Sequence, residues 1–305
     1  MDNRVVVVSG ATGLVGRHLI PALRHAGFGV RVLLRDTKIA LTPPEHRYDW
    51  HRDDALVNAL DGAAALIHLA GEPLGNGRLD EAHRRRVMDS RVHGTQRLVR
   101  AWRAAPSPPP LWLQASATGY YGDTGEAEIT EESPAGHLFL SEVCSAWERP
   151  ALELAADGKV RAAIMRFAMV VAEEAPAWER LLQPIRYGLG GKLGSGQQWW
   201  SWMTIADLTA ATLFLLEHPQ AQGPFNFCAP EPARQIDITR AIARRLQRPA
   251  FGFVPAMALR ALAGALADEL ILPSCRALPQ RLQGLGFKFQ APTIEAALDQ
   301  VLCCQ

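Results

Sequence analysis

The sequence lacks the features of a membrane-spanning or disulfide-stabilised protein. None of its apolar runs reaches the roughly 18 residues that a membrane span needs. It has five cysteines that form neither a Cys-x-x-Cys pair nor a metal-ligand spacing: Cys144, Cys228, Cys275, Cys303 and Cys304. We therefore expect no disulfide framework and no metal site. The first predicted strand begins at Arg4, which leaves no room for a signal peptide, so we expect a cytoplasmic protein.

An excess of charge of one sign is also missing. Lys and Arg together number 32 and Asp and Glu 31, which gives a formal net charge of +1. This balance provides no broad attraction to nucleic acid or to a membrane, and we expect neither as a partner. The basic stretch "HRRRV", residues 83–87, stands out, but on a helix it is more typical of a solvated face than of a nucleic-acid contact.

The sequence does contain a regular alternation of short apolar runs with amphipathic segments. The apolar runs predict strands at 4–9, 29–35, 63–71, 111–116 and within 160–171. The segments between them predict three helices. The first ends near 26, the second runs from about 79 to 104, and the third runs from about 137 to 156. Strands that alternate with helices predict an α/β fold, a doubly wound parallel sheet with helices on both faces.

The alternation ends after residue 171. "GLGGKLGSGQ", residues 188–197, indicates a loop, and Asp207 is well placed to cap a helix over 207–217. A late strand is predicted at 223–229, followed by helices at 237–246, 255–267 and 293–302. We expect this part to form a small, mainly helical C-terminal lobe over the carboxyl edge of the sheet.

The stretch "SGATGLVG" places three glycines, each three residues from the next, between the first strand and the first helix. This context predicts a dinucleotide site: Gly10 permits the tight turn, Gly13 lets backbone approach a pyrophosphate, and Gly16 lets the helix pack on the strand. The N–H groups of Gly13, Leu14 and Val15 would face the phosphate at the helix N-terminus. Thr12, in the same turn, is included among the expected cofactor-binding residues.

The end of the second strand indicates which dinucleotide is bound. Arg35 stands where an NAD site usually has an acidic residue, and its guanidinium suits a 2′-phosphate. The prediction is NADP(H) rather than NAD. The next residue is Asp36, which keeps NAD open, and an ordinary solvated arginine is the alternative for Arg35.

The stretch "HLAGE", residues 68–72, ends the third predicted strand at the same edge. Leu69, Ala70 and Gly71 are expected to run beneath the cofactor, because small residues allow close approach to a ligand. His68 lies within an apolar strand, where a packed, hydrogen-bonded histidine is more common than a catalytic one.

Taken in order, "VVVVSGATGLVG", "HLAGE", "SRVHGTQRLV" and "SATGYYGD" resemble the extended short-chain dehydrogenase/reductases, the sugar-nucleotide epimerase group. "SATGYYGDTGEAEITEESP", "RYGLGGKLGSGQQWWSWMTIADL" and "RALPQRL" more narrowly resemble an atypical epimerase-like branch of unassigned substrate, some of whose members are labelled cell-division-inhibitor-like. The resemblance implies that Arg91 and Val170 contact the cofactor. The alternative for Arg91 is a helix-surface ion pair.

The resemblance also implies how the chain is divided. Residues 1–171, completed by 206–228, would form an NADP-binding Rossmann domain, and residues 172–205 and 229–305 would form the substrate-binding lobe. The partner would be a small-molecule substrate, and the protein would be a monomer or a homodimer.

The family's usual catalytic pair is missing. Relatives use a Tyr-x-x-x-Lys pair at a fixed distance before a glutamate, and counting back from Glu148 places Leu140 and Cys144 at the two positions. Without a lysine, a tyrosine is a poor base at neutral pH. Cys144 is expected to be an inert apolar filler of the helix.

Other polar groups remain as candidates for the chemistry. Ser116 is expected to orient a substrate oxygen, and Tyr121 to line or assist the site. Tyr120 is more typical of a core or wall residue than of an acid or base. The acidic residues between 126 and 132 are typical of a solvated loop. The indoles of Trp199, Trp200 and Trp202 could form a flat substrate wall or pack between the lobes, and both interpretations stay open.

Two functional hypotheses follow. The first is an NADP(H)-dependent oxidoreductase or epimerase-like enzyme that acts on a small molecule. The second is a catalytically weak NADP(H)-binding sensor or protein-interaction module, which the missing Tyr-Lys pair favours.

Overall fold

A computed structural model describes residues 4–39, 46–75 and 77–302. Its strands, in chain order, are β1 Val5–Ser9, β2 Gly29–Leu34, β3 His46–Asp49, β4 Ala65–His68, β5 Leu111–Ala117, β6 Glu128–Ile129, β7 Arg161–Phe167, β8 Met169–Val171, β9 Gly191–Leu193, β10 Trp199–Trp200, β11 Trp202–Thr204, β12 Gly223–Phe227, β13 Ala233–Arg234, β14 Gly252–Val254 and β15 Arg276–Ala277. Its α-helices are α1 Leu14–His25, α2 Asp53–Leu60, α3 Glu81–Ala104, α4 Phe139–Ala156, α5 Pro176–Arg186, α6 Ile205–Glu217, α7 Gln235–Arg245, α8 Ala256–Ala263, α9 Gln280–Gly284 and α10 Ile294–Leu302. A 3-10 turn spans Thr118–Tyr121, and a π-helical turn spans Ala267–Ile271.

Seven strands form one parallel sheet in the order β12-β7-β5-β4-β1-β2-β3. Val8 of β1 lies between Val32 of β2 and Ile67 of β4, and all three side chains are fully buried. Such a run of apolar, mostly β-branched residues suits a strand that is covered on both faces. The predicted doubly wound parallel sheet is confirmed.

Helices cover both faces of the sheet. On one face, α1 and α6 bury Leu19, Leu23 and Leu215, and on the other α2, α3 and α4 bury a separate set that includes Leu60 and Trp102. The chain leaves β1 toward β2 and β3 on one side and later returns to place β4 on the other. This reversal of direction opens a crevice at the carboxyl ends of the strands, where ligands bind in folds of this kind.

The remaining strands form two-stranded pairs: β8 with β11, β10 with β13, β9 with β14 and β6 with β15. Residues of β8, β10, β11 and β13, with α5, α7 and α10, enclose a further apolar core around Trp178, Trp202 and Ile242. These elements follow β7 in the chain, so the core adjoins the carboxyl edge of the large sheet.

Several elements were not predicted. β3 has the sequence "HRYD" and is half exposed at the edge of the sheet, so no apolar run predicts it. Neither α2 nor α5 was predicted. The single strand expected within 160–171 is two strands, because the chain turns at Ala168, whose N–H bonds Phe227 O at 3.1 Å, and β8 then pairs with β11. The loop expected at 188–197 contains β9.

The prediction that Asp207 caps a helix over 207–217 is wrong. The helix begins at Ile205, and the cap is Thr204, whose Oγ1 accepts a hydrogen bond from Asp207 N at 3.1 Å. The fully buried Asp207 carboxylate instead accepts from the N–H groups of Gln290 at 2.8 Å and Ala291 at 3.0 Å. Asp207 therefore ties the segment before α10 to the first turn of α6.

The expectation of a wholly solvated acidic loop is also wrong. Glu131 is buried, and its Oε1 accepts from Asn226 N at 3.0 Å and Arg281 N at 3.3 Å. Glu126 and Glu128 are exposed but form ion pairs with Arg234 and Arg276. The loop is anchored by these contacts because it lies between the sheet and the C-terminal part of the chain.

Cys144, Cys228 and Cys275 are free thiols, and Cys303 and Cys304 lie outside the described residues. Among the residues that the structure describes, no group of three or more His, Cys, Asp or Glu side chains could hold a metal ion. In the same ranges, no helix has the length and apolarity needed to cross a bilayer.

Candidate functional site

The glycine turn between β1 and α1 shows which of its glycines the chain itself requires. Gly10 has a φ of +74°, and a Cβ there would lie 2.8 Å from the carbonyl carbon of Leu69. A Cβ at Gly16 would collide with Gly10 O. Gly13 has an ordinary φ of −75°, and its Cβ would make only a 3.4 Å contact with Gly10 O. The fold itself would therefore accept a Cβ at Gly13. Close approach of a ligand to this backbone would explain why the residue is glycine.

Gly13 is also the N-cap of α1, and no side chain caps the helix there. The N–H groups of Leu14 and Val15 belong to the first turn, where α-helical amides have no acceptor within the helix. The positive end of the helix dipole adds to their attraction for an anion.

A cleft of about 330 Å³ opens in front of this turn. It lies at the carboxyl edge of the sheet, between the start of α1 and the ends of β5 and β7. It is lined by Gly10, Gly13, Leu14, Val15, Gly16, Leu69, Arg91, Ala115, Ser116, Ala117, Trp147, Phe167 and Ala168. Eight expected site residues therefore come together here: Gly10, Gly13, Leu14, Val15, Gly16, Leu69, Arg91 and Ser116.

The other expected site residues do not line this cleft. Thr12 is exposed on the turn, and Ala70 and Gly71 continue the chain past Leu69. Arg35 is exposed directly after β2, at the same edge of the sheet. Val170 lies in β8, opposite Met203, and packs against the sheet core. These residues are therefore not part of the cleft lining.

Arg91 is not the surface ion pair that was the alternative. Its Nη1 donates to the carbonyl oxygens of Glu72 at 3.0 Å and Val87 at 3.3 Å, and its guanidinium carbon lies 4.8 Å from the centre of the Trp147 ring. A Cβ at Gly71 would lie 3.1 Å from the same guanidinium carbon. Burial lowers the pKa of Arg91, partly offset by Cys144 and Glu72, but a guanidinium stays cationic in proteins. It is the cationic group among the residues that line the cleft.

His68 is fully buried beneath this site, as predicted for a packed histidine. Its Nδ1 lies 2.6 Å from Ser9 Oγ and its Nε2 lies 3.2 Å from Thr95 Oγ1. Burial, with the nearby charge of Arg91, lowers the pKa of His68 to about 3, so the ring is neutral at physiological pH.

The hydrogen bonds around Ser9 fix the tautomer of His68. Ser9 Oγ accepts from the N–H groups of Leu69 at 3.2 Å and Ala70 at 3.3 Å, so its own proton is donated to His68 Nδ1. His68 then carries its proton on Nε2 and donates it to Thr95. This chain of hydrogen bonds holds the backbone after β4 against the glycine turn.

Ser116 lies at the opposite side of the cleft, and its hydroxyl is already engaged. Its Oγ donates to Glu148 Oε1 at 2.6 Å. Glu148 in turn accepts from Arg166, at 2.9 Å from Nε and 2.8 Å from Nη2, in a bidentate pair whose side chains are 3% and 4% exposed. The Ser116 proton therefore points at a carboxylate, and its lone pairs are what remain for a ligand.

Tyr121 belongs to the same buried network and does not line the cleft. Its hydroxyl donates to Asn226 Oδ1 at 2.7 Å and accepts from Arg166 Nη1 at 2.9 Å. Burial raises the pKa of Tyr121, although Arg166 opposes the shift, which makes the phenol a weaker acid than a free tyrosine. Tyr120 packs its ring 3.5 Å from the Arg166 guanidinium carbon. This placement does not suit either tyrosine to transfer a proton to a ligand in the cleft.

The positions of the missing pair are closed. Leu140 and Cys144 are buried in α4, and burial, with the charge of Glu148, raises the pKa of Cys144 to about 11. Cys144 is therefore a protonated, apolar filler at neutral pH, as expected.

The three indoles expected near the substrate serve packing. Trp202 is fully buried in the C-terminal core. The guanidinium groups of Arg234 and Arg276 each lie 4.5 Å from the ring centre of Trp199, and Trp200 Nε1 donates to Ile271 O at 3.2 Å. Of the two interpretations, packing describes these contacts.

Two important residues were missed. Trp147 forms an apolar wall of the cleft, and Arg166 neutralises Glu148 behind it. The sequence contained a signal for both residues. Arg166 is the one charged residue in the apolar run "AAIMRFAMVV". Trp147 directly precedes Glu148, the glutamate from which the positions of the missing pair were counted. A charge within a buried strand needs a buried partner, and Glu148 is that partner.

The fold and the glycine turn define a Rossmann-type α/β protein with a dinucleotide-like cleft. Residues 6–228 match the NAD dependent epimerase/dehydratase family, and residues 254–301 match a domain of unknown function, DUF1731. The chain belongs to the NAD dependent epimerase/dehydratase family, as its motifs predicted.

Similar proteins match nearly the whole length of this chain. An epimerase family protein of Staphylococcus epidermidis is 33% identical over 299 residues, which cover 97% of this chain and 98% of that protein. A crystal structure of the human epimerase family protein SDR39U1 (isoform 2) with NADPH is 29% identical, with a TM-score of 0.87 over 99% of this chain and 100% of that one. A nucleoside-diphosphate sugar epimerase from Corynebacterium glutamicum is 30% identical, with a TM-score of 0.78, and the match covers 98% of this chain and 58% of that protein.

Proposed function

We propose that this chain binds NADP(H) in the cleft and acts as an oxidoreductase or epimerase-like enzyme on a small molecule. The observation that carries the proposal is the glycine turn, in which Gly13 leaves open space in front of the uncapped start of α1. The human relative whose structure contains NADPH supports the choice of cofactor. Bound NADP(H) supplies a hydride donor or acceptor.

The residues of the cleft fit such a ligand. The N–H groups of Leu14 and Val15 would hold the pyrophosphate, with Gly10, Thr12, Gly13 and Gly16 shaping the turn. The backbone of Leu69, Ala70 and Gly71 would lie beneath the cofactor, and Arg91 would add a positive charge. Arg35 would pair with the 2′-phosphate. Ala115, Ala117 and Phe167 leave an apolar surface that excludes water from the far end.

The substrate side of the proposal rests on Ser116. Held by Glu148, its oxygen can accept a hydrogen bond from a substrate hydroxyl. We further propose that residues 172–205 and 229–305 supply the rest of the substrate site, above a dinucleotide-binding domain of residues 1–171 and 206–228. Val170, where β8 meets β11, would lie at the junction of the two.

Calorimetric titration of NADPH and NADH tests the cofactor proposal. We expect the wild type to bind NADPH more tightly than NADH, and Arg35→Ala to weaken NADPH binding about tenfold or more while leaving NADH unchanged. The matched control is Arg100→Ala, an exposed arginine of α3 that is remote from the cleft. No binding of either dinucleotide to the wild type would refute the proposal, and an equal loss for both would refute the role of Arg35.

A catalytically weak NADP(H)-binding sensor or interaction module is the second candidate. One observation favours it: the polar side chains nearest the strand ends, Ser116 and Tyr121, are committed to Glu148, Arg166 and Asn226. This candidate predicts NADPH binding with no NADPH oxidation in a screen of carbonyl compounds and sugar nucleotides. Turnover with any of them would favour the enzyme.

A further inference from the structure

Large apolar side chains are exposed mainly on one part of the C-terminal lobe. Six of them, here called the apolar patch, lie in the segments 187–189 and 251–262: Tyr187, Leu189, Phe251, Phe253, Met257 and Leu262. Phe251 is 94% exposed, Tyr187 81% and Met257 80%, so these side chains project into solvent. Apolar residues exposed together in this way mark interaction surfaces.

The two segments meet in space through β9 and β14. These strands pair in parallel, with Lys192 opposite Phe253, and Gly252 N bonds Gly190 O at 2.8 Å. Phe253 lies in β14, and Phe251 directly precedes that strand. Helix α8, which carries Met257 and Leu262, begins two residues after β14 ends. The two segments of the patch are therefore neighbours through one strand pair.

The segments themselves contain one basic residue, Arg260. The wider stretches 180–206 and 238–267 contain eight of the 32 basic residues and no Asp or Glu, and Glu179, Asp207, Asp237 and Asp268 lie directly beside these stretches. Acidic residues from other segments pair with four of these arginines: Arg240, Arg244, Arg245 and Arg260.

Some basic residues near the apolar patch have no acidic partner among the described residues. For Arg186, Lys192 and Arg248, the described part of the chain offers no ion pair. Lys192 Nζ lies 4.9 Å from the centre of the Phe253 ring, so a cation and an exposed aromatic side chain stand side by side. The expectation of no membrane partner rested on the net charge of the whole chain. That number does not show that three basic residues without an acidic partner in the described ranges flank the exposed apolar side chains.

We propose that the apolar patch and its three flanking cations bind the surface of an anionic lipid bilayer. Projecting aromatic and aliphatic side chains insert among acyl chains without a preformed pocket, while Arg186, Lys192 and Arg248 pair with anionic headgroups. A second copy of the chain fits less well, because a two-fold interface sets this patch against itself and brings like charges together. A rigid acidic protein would need a pocket for each projecting side chain.

Sedimentation of the full chain with vesicles tests this surface. We expect binding to vesicles of phosphatidylcholine with phosphatidylserine, little binding to phosphatidylcholine alone, and loss of binding at high salt. Lys192→Gln with Arg248→Gln should weaken binding roughly 25-fold, about fivefold for each basic residue removed. Phe251→Ser with Phe253→Ser should weaken it about tenfold or more.

Matched controls are Leu152→Ser and Arg100→Gln, an exposed leucine of α4 and an exposed arginine of α3, which should bind vesicles as the wild type does. Thermal unfolding shows whether each variant remains folded, as expected for such exposed positions. Absence of vesicle binding by the wild type, or equal binding by all variants, would overturn the proposal. So would self-association that Phe251→Ser abolishes in a protein that ignores vesicles, because the occupant would then be a second copy. None of these outcomes depends on dinucleotide binding.

Discussion

The two walls of the cleft use their polar groups in opposite ways. The glycine wall, formed by the 10–16 turn and Leu69, presents backbone N–H groups at the start of α1 to open space. The strand wall, formed by the ends of β5 and β7 with Trp147, turns its polar groups inward. There Ser116, Glu148 and Arg166 satisfy one another, and alanine and aromatic side chains face the cleft. The glycine wall leaves its N–H groups unsatisfied for a ligand, whereas the polar groups of the strand wall are mostly bonded to one another and leave the lone pairs of Ser116.

This difference explains how the chain can keep a dinucleotide site without the family's Tyr-Lys pair. The glycine wall depends on backbone geometry, which the missing side chains do not touch. The strand wall depends on a buried ion pair that stabilises the ends of β5, α4 and β7 together. A pair of this kind contributes little net stability, but removal of one partner leaves the other charged and buried.

The largest expected effect comes from breaking the strand wall at Glu148. Glu148→Ala leaves the Arg166 guanidinium buried without its counter-ion and should lower the free energy of unfolding by about 3–5 kcal/mol. Urea unfolding measures it. The double variant Glu148→Ala with Arg166→Leu removes the unpaired charge and should recover most of the loss.

The matched control for Glu148 lies on the same helix. Glu153→Ala removes an exposed pair with Arg149 and should cost less than about 1 kcal/mol. If Glu148→Ala lowers the free energy of unfolding no more than Glu153→Ala does, the buried network of Ser116, Glu148 and Arg166 does not stabilise the strand wall.

The next effect separates ligand binding from folding on the glycine wall. Gly13→Ala should cost no more than about 1 kcal/mol of stability, because its φ is ordinary and its Cβ has room. It should nevertheless weaken NADPH binding about tenfold or more, since the methyl group occupies the space where backbone would meet pyrophosphate. Calorimetry and urea unfolding on the same sample give both numbers.

Substitutions at two further glycines serve as comparisons for Gly13→Ala. Gly10→Ala should destabilise the fold by about 1–3 kcal/mol, because φ is positive there and Leu69 lies in the way. Gly284→Ala, where an added Cβ meets nothing within 4 Å, should change neither stability nor binding. Unchanged NADPH affinity in Gly13→Ala would mean that the dinucleotide does not approach this turn.

The glycine wall could be predicted from sequence because its signals are local. An apolar β-branched strand, a glycine turn and an amphipathic helix follow one another within the first 25 residues, and each dictates its own conformation. Arg91 was identified through a family motif, but its stacking on Trp147 depends on how α3 meets α4, which no local pattern reveals.

The strand wall could not be predicted in the same way, since its contacts join distant residues. Ser116 was expected to face a substrate, yet its partner Glu148 is 32 residues away and Glu148's own partner Arg166 is 18 further on. Tyr121 was expected at the site and is instead bonded to Asn226, 105 residues away. Polar residues at the end of a strand indicate a site, but only tertiary contacts decide whether they serve a ligand or one another.

The smallest expected effect concerns His68, which bonds Ser9 behind the glycine wall and lies edge-on to Trp147 of the strand wall. The folded protein binds a proton at His68 only near pH 3, whereas the unfolded chain does so near 6.5. Between these values the unfolded state binds more protons, so the stability associated with a neutral His68 is complete above 6.5 and is lost as the pH falls. Between about pH 7.5 and 5.5 the wild type should lose about 1 kcal/mol more than His68→Gln, which cannot titrate. Urea unfolding at both pH values measures the difference, with His93→Gln, an exposed histidine of α3, behaving as the wild type does. Parallel losses in the wild type and His68→Gln would mean that the pKa of His68 is the same in the folded and unfolded states, and the neutral, buried ring between Ser9 and Thr95 would then be ruled out.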